Sequence, residues 1–82
     1  MDFKERAKKD LDKLDELIEY FKSLELNKKY PELFEHSLNY KKDSEHYFSK
    51  EDYFSSFGCS NYAFGILESL LYKEKKKLFH EI

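Results

Sequence analysis

Two carboxylate and histidine pairs are the first candidates for chemistry: Asp43 with His46 at i, i+3, and Glu32 with His36 at i, i+4. On a helix each pair shares a face and could direct two ligands to one ion. Two-metal carboxylate sites in helical bundles need a Glu and His motif from each of two helices, plus further inward carboxylates. Only half of that donor set is present, so no metal or other cofactor is expected. Glu68 is the single charge between Phe57 and Tyr72. Burying an unpaired carboxylate is expensive, so Glu68 must point outward or meet a partner near the first loop, such as Lys28, Lys29 or Tyr30. Its functional alternative is one wall of a polar pocket with Tyr62, Asn61, Gly65 and Ser69. No nucleophile stands beside a base at a recognisable spacing, and no catalysis is expected.

Three further features invite a functional reading. Gly58 and Gly65 are seven residues apart on one helical face, and each weakens a helix by roughly 1 kcal/mol relative to Ala. A neighbouring helix or a large ring such as Phe21 or Tyr40 would explain them by close approach; a ligand or partner groove would explain them otherwise. Cys59 reads as a small buried residue rather than a reactive one, since no His adjoins it. Lys73, Lys75, Lys76 and Lys77 could meet phosphates. Against nucleic acid stand a net charge of -2 and a single Arg, Arg6, because Arg makes most specific base contacts.

The elements that must position these residues are helices. Val and Thr are absent and Ile occurs only at Ile18, Ile66 and Ile82, whereas strands are built from β-branched residues. The fold class is therefore all-α. The chain has 82 residues, which reads as one domain, 1–82, with a modest core. Asp2 and Glu5 form a capping box, and Phe3, Ala7, Leu11, Leu14, Leu17, Ile18, Phe21 and Leu24 make one amphipathic face. The segment Glu25 to Tyr30 loses that period, and Pro31 suits the first turn of a second helix. There Leu33, Phe34, Leu38, Tyr40, Tyr47 and Phe48 form the expected inner side, interrupted by Ser37, Lys41 and Ser44. Ser49 reads as the cap of a third helix with Asp52 three residues on.

The expected architecture is an up-and-down three-helix bundle with helices at about 3–25, 31–48 and 50–80, the third central and projecting beyond the other two. Everything after about Leu70 would overhang by up to ~18 Å at ~1.5 Å per residue. That overhang would expose Leu71, Leu78, Phe79 and Ile82, an apolar stripe that monomers seldom leave uncovered. Protein association through helix three, including self-association, is the expected role. No run approaches the ~18 to 20 apolar residues of a membrane span, and Met1 to Asp10 lacks an apolar core. The expected setting is the cytoplasm, without membrane partners.

From Tyr40 to Ser69 the sequence resembles the archaeal domain-of-unknown-function 357 family. The residues that carry the resemblance are Tyr40, Asp43-Ser44, Tyr47-Phe48, Asp52, Phe57 and above all Tyr62-Ala63-Phe64-Gly65-Ile66-Leu67-Glu68. Family members show Tyr-Ala, a Gly two residues later and an acidic residue three beyond it, typically Asp where this chain has Glu68. The resemblance implies small helical proteins and supplies no catalytic residues. A more distant similarity to helical domains of the HEPN type lacks the Arg and His pattern of those that cleave RNA.

Overall fold

A computed structural model describes residues 2–78. Four helices follow one another, α1 (Phe3–Ser23), α2 (Leu26–Lys29), α3 (Pro31–Ser49) and α4 (Tyr53–Lys73), with no strand among the described residues. The all-α expectation holds, but the count of three omits α2, a single turn in the segment that loses the helical period. Its Leu26 is buried with the core beside the end of α1. The three long helices alternate in direction. His36 faces Tyr62 while Phe48 faces Tyr53, so α3 and α4 are antiparallel; Phe3 meets Phe54 and Asp10 meets Asn61, so α1 and α4 run the same way.

Asp2 caps α1 as its spacing predicts, accepting from the Glu5 N–H at 2.8 Å, and Pro31 opens α3. The cap of α4 is Asp52, which accepts from the Ser55 N–H at 3.1 Å. Ser49 instead ends α3, because the residues between are used to close that helix. The Glu51 N–H donates to Phe48 O and the Asp52 N–H to Tyr47 O at 3.0 and 2.9 Å, the paired bonds of a Schellman closure. The same pair, Lys75 to Tyr72 and Lys76 to Leu71, ends α4. The left-handed position after each long helix normally favours Gly. Here it is filled by Glu25, Glu51 and Lys75, at φ 59, 61 and 55°.

The core is built from α1 and α4. Leu14, Leu17 and Phe21 of α1 meet Ala63, Leu67, Leu70 and Leu71 of α4, each apolar side chain contributing about 1.5–3 kcal/mol on full burial. The fully buried residues of α3 are Ser37 and Ser44; of its expected inner side Phe34, Leu38 and Tyr40 pack against the core, whereas Leu33 and Tyr47 are exposed. Small side chains let the α3 and α4 backbones approach closely. The Ser44 hydroxyl donates to Ser56 O at 2.6 Å and the Ser56 hydroxyl to Ser44 O at 2.8 Å, so both polar groups are satisfied where burial would otherwise be costly. Lys41 turns toward α1 and pairs with Asp15 at 2.8 Å. Among the aromatics, Phe21 is fully buried, whereas Tyr47 and Tyr62 are exposed.

The projecting third helix is not observed. The left-handed Lys75 stops α4 at Lys73 and returns the chain, so that Leu78 packs against the core and the Tyr20 hydroxyl donates to Lys77 O at 2.9 Å. Lysines at i, i+4 repel along a continued helix, and an unsupported extension has no apolar neighbour. Leu71, expected on an exposed stripe, is fully buried, and Leu78 is half-buried. Phe79 and Ile82 lie outside the described residues.

Candidate functional site

The expected polar pocket does not converge. Asn61 donates to Asp10 of α1 at 2.8 Å and to Phe57 O at 2.8 Å, whereas Tyr62 lies on the opposite flank of α4 with its ring 4.4 Å from that of Tyr40 in α3. Successive helical residues are about 100° apart, so neighbours in sequence serve different helices. Glu68 is half-buried, and the loop groups expected to meet it are engaged elsewhere. Lys28 pairs with Glu25 at 3.0 Å. Lys29 and the Tyr30 hydroxyl both donate to Glu74, at 2.9 and 2.5 Å.

That Glu74 cluster fastens the end of α4 to the loop before α3. Hydrogen bonds from Tyr30 and Lys29 hold the Glu74 carboxyl below its ordinary range, while the bond to Glu74 raises both Lys29 and Tyr30. Lys73 also lies 5.6 Å over the Tyr30 ring. One member of the lysine cluster is therefore committed to an internal contact, while Lys75, Lys76 and Lys77 are exposed.

The carboxylate and histidine pairs gain no further donors: among the described residues no group of three or more His, Cys, Asp or Glu is placed to hold a metal. Glu32, His36, Asp43 and His46 are all exposed.

What the fold does assemble is an aromatic groove. His36, Tyr40, Asp43 and Tyr47 recur at spacings of four, three and four, one stripe of α3. It faces Phe54, Gly58 and Tyr62 of α4, again four apart. Between the two stripes lies an open groove of about 380 Å³, with Tyr40, Tyr47, Phe54 and Tyr62 as walls and Gly58 and Cys59 as floor. Phe54 and Tyr62 are 68% and 53% exposed, an unusual state for large rings. At Gly58 an added Cβ would meet nothing within 4 Å, and the same holds at Gly65. The close approach of a helix or ring expected at these glycines is thus absent. Neither Gly is required by a positive φ.

Cys59 sits in the floor with its thiol pushed up by burial first and then by the negative charges of Asp43 and Asp52. A raised thiol stays protonated and is a poor nucleophile. The groove presents ring faces, with a protonated thiol at its floor.

The residues that the sequence reading missed here are Phe54 and the outward orientation of Tyr47 and Tyr62. The signal was Ser37 and Ser44, seven apart: once they mark the buried line of α3, Tyr40 and Tyr47 fall on its edge.

A family model described as "Protein of unknown function (DUF357)" matches residues 4–74. The chain belongs to this family. The match extends well beyond Tyr40 to Ser69, where the resemblance was read, and takes in α1, α2, α3 and the whole of α4. DUF357 membership assigns no activity, so the groove, the serine seam and the Glu74 fastening are read from this member's own geometry. Neither curated proteins nor solved structures gave a match. No helix among the described residues is long and apolar enough to cross a membrane.

Proposed function

We propose that this protein is a non-catalytic cytosolic module for protein association, and that its docking surface is the aromatic groove between α3 and α4. The observation that carries this reading is the exposure of Phe54 and Tyr62 beside a glycine floor that no other described residue covers. Exposed contiguous apolar surface marks interaction sites, and Tyr-rich surfaces supply contact area at low entropic cost. The reading moves the association surface from the C-terminal stripe, where Leu71 is buried, to the middle of the molecule. Phe3, 62% exposed and edge-on to Phe54, extends the apolar surface toward the start of α1.

The test is a pair of tagged proteins, wild type and Gly58→Lys, used to capture partners from the source cells, with sedimentation of both proteins alone. A Cβ added at Gly58 meets nothing within 4 Å, so the variant is expected to keep the fold and to place its side chain in the groove. A protein retained near stoichiometry by wild type and lost by Gly58→Lys supports the reading, as does a dimer that the substitution dissociates. Identical captures and two identical monomer masses would refute it.

A further inference from the structure

The charge around the groove identifies its occupant. Resting on the association reading above, we infer that the groove takes a basic peptide segment, an Arg or Lys side chain of a partner protein lying across the rings of Tyr40, Tyr47 and Tyr62 with its charge toward Asp43.

Four observations converge on this chemistry. First, aromatic ring faces are electron-rich and attract guanidinium and ammonium groups, and several rings around one opening form a cage for cations. The tilted Tyr40 and Tyr62 rings, 4.4 Å between centroids, are one wall of such an opening. Second, the two carboxylates that act on the Cys59 floor are unsatisfied by lysines: among the described residues neither Asp43 nor Asp52 takes part in an ion pair. Asp52 is occupied as a helix cap, which leaves Asp43, on the Tyr40 and Tyr47 stripe, as the charge available to a ligand. Third, the charges that act on the Cys59 thiol in the floor are the carboxylates of Asp43 and Asp52, so both lie within electrostatic reach of the groove. The nearest lysine along α3 on its inner side, Lys41, is turned away to Asp15 of α1. Fourth, Gly58 leaves the α4 backbone open at the centre of the groove, where a peptide could approach more closely than any side chain would permit.

These features separate the occupants. An acidic peptide or a phosphate chain would meet Asp43 and Asp52 with like charge. A purely apolar helix would bury Asp43 without a partner, which is costly. A basic segment neutralises that carboxylate and uses the rings at the same time.

The experiment is amide NMR titration of the full chain with three synthetic hexapeptides: one containing alternating Arg and Gly, one with citrulline in place of each Arg, and one with Glu in place of each Arg. The expected result is saturable shifts at Gly58, Cys59 and Tyr62 with the Arg peptide, about tenfold weaker binding of the citrulline peptide, and no shifts with the Glu peptide. Asp43→Asn and Tyr62→Leu should each weaken the Arg peptide several-fold with the amide spectrum otherwise preserved, and added salt should weaken it further. Equal binding of the Arg and citrulline peptides would overturn the cationic occupant and leave the association reading standing. Groove shifts that depend on protein concentration without any peptide would do the same, in favour of a second copy of the chain. Absence of groove shifts with all three peptides would overturn this inference, whereas the capture and sedimentation results above decide the association reading separately.

Discussion

Replacing Gly58 and Gly65 by Ala should make this protein more stable. Both residues are inside α4, where Gly is less favourable than Ala by about 0.8–1.0 kcal/mol because it gives up more backbone freedom on folding. A methyl group at either position would meet nothing within 4 Å, so no steric cost offsets the gain. The two sites are seven residues apart, about 10 Å along the helix at ~1.5 Å per residue, far enough for their effects to add. Each variant should gain about 1 kcal/mol and the double variant about 2 kcal/mol. For a domain of this size that is a rise in Tm of about 4–8 °C per substitution. The assay is thermal and urea unfolding followed by helical circular dichroism, with an unchanged urea slope expected if only the folded helix is affected. An unchanged or lowered midpoint for both variants would refute the reasoning, because it would mean that something does rest against that face of α4 in the folded protein. The pair also separates stability from recognition: Gly58→Ala should weaken the Arg peptide while Gly65→Ala, outside the groove, should not.

Four other outcomes follow from the same geometry. Glu51→Gly should stabilise by about 1 kcal/mol, since a left-handed residue at the Schellman position carries a side-chain penalty that Gly lacks, read again as a urea midpoint. Phe21→Ala should cost about 3–5 kcal/mol, a large part of the 5–15 kcal/mol typical of a domain, because Phe21 is fully buried and stacked 5.8 Å from Phe34; a loss below 1 kcal/mol would contradict its place in the core. Ser44→Val should be worse than Ser44→Ala, the latter losing about 1 kcal/mol of hydrogen bonding and the former adding about 1–3 kcal/mol of overpacking at the closest point between α3 and α4; equal midpoints would show that the seam is not tight. For pH, Glu74 has a depressed folded value, so its contribution is present above the ordinary 4.5 and is lost as pH falls through the depressed value. Tyr30 is raised, so its contribution is present below 10.0 and is lost as pH climbs through the raised value. Glu74→Gln should flatten the acid limb of the stability profile, and ultraviolet titration should find one late-ionising tyrosine that Tyr30→Phe removes.

Much of the fold was legible because its signals are local. The apolar period of α1, the Asp2 cap, Pro31 at the start of α3 and the absence of Val and Thr each act within a few residues, and each is realised. The face of α3 was read only in part, for a different reason. A serine looks like an interruption in an apolar stripe, but whether it faces water or a neighbouring backbone depends on how closely two helices approach, and that is set by both partners. Ser44 and Ser56 are twelve residues apart and acquire their roles only together.

The candidate site divides in the same way. That Tyr62, Gly58 and Tyr40 are notable could be seen in the sequence. That Tyr62 turns to α3 while Asn61 turns to α1, that no described residue comes within 4 Å of a Cβ at Gly58, and that Asp43 is in no ion pair among the described residues are facts of how the helices are arranged around α4. The overhang that would have exposed Leu71 was excluded by tertiary structure too, through a reversal at Lys75 and the reach of Glu74 to Tyr30, 44 residues earlier. The sequence by itself determined helices, because helix periodicity and capping are short-range. Only the tertiary structure decided which rings are core and which are left as a surface, because burial is a property of neighbours, and the neighbours of α4 are brought to it from both other long helices.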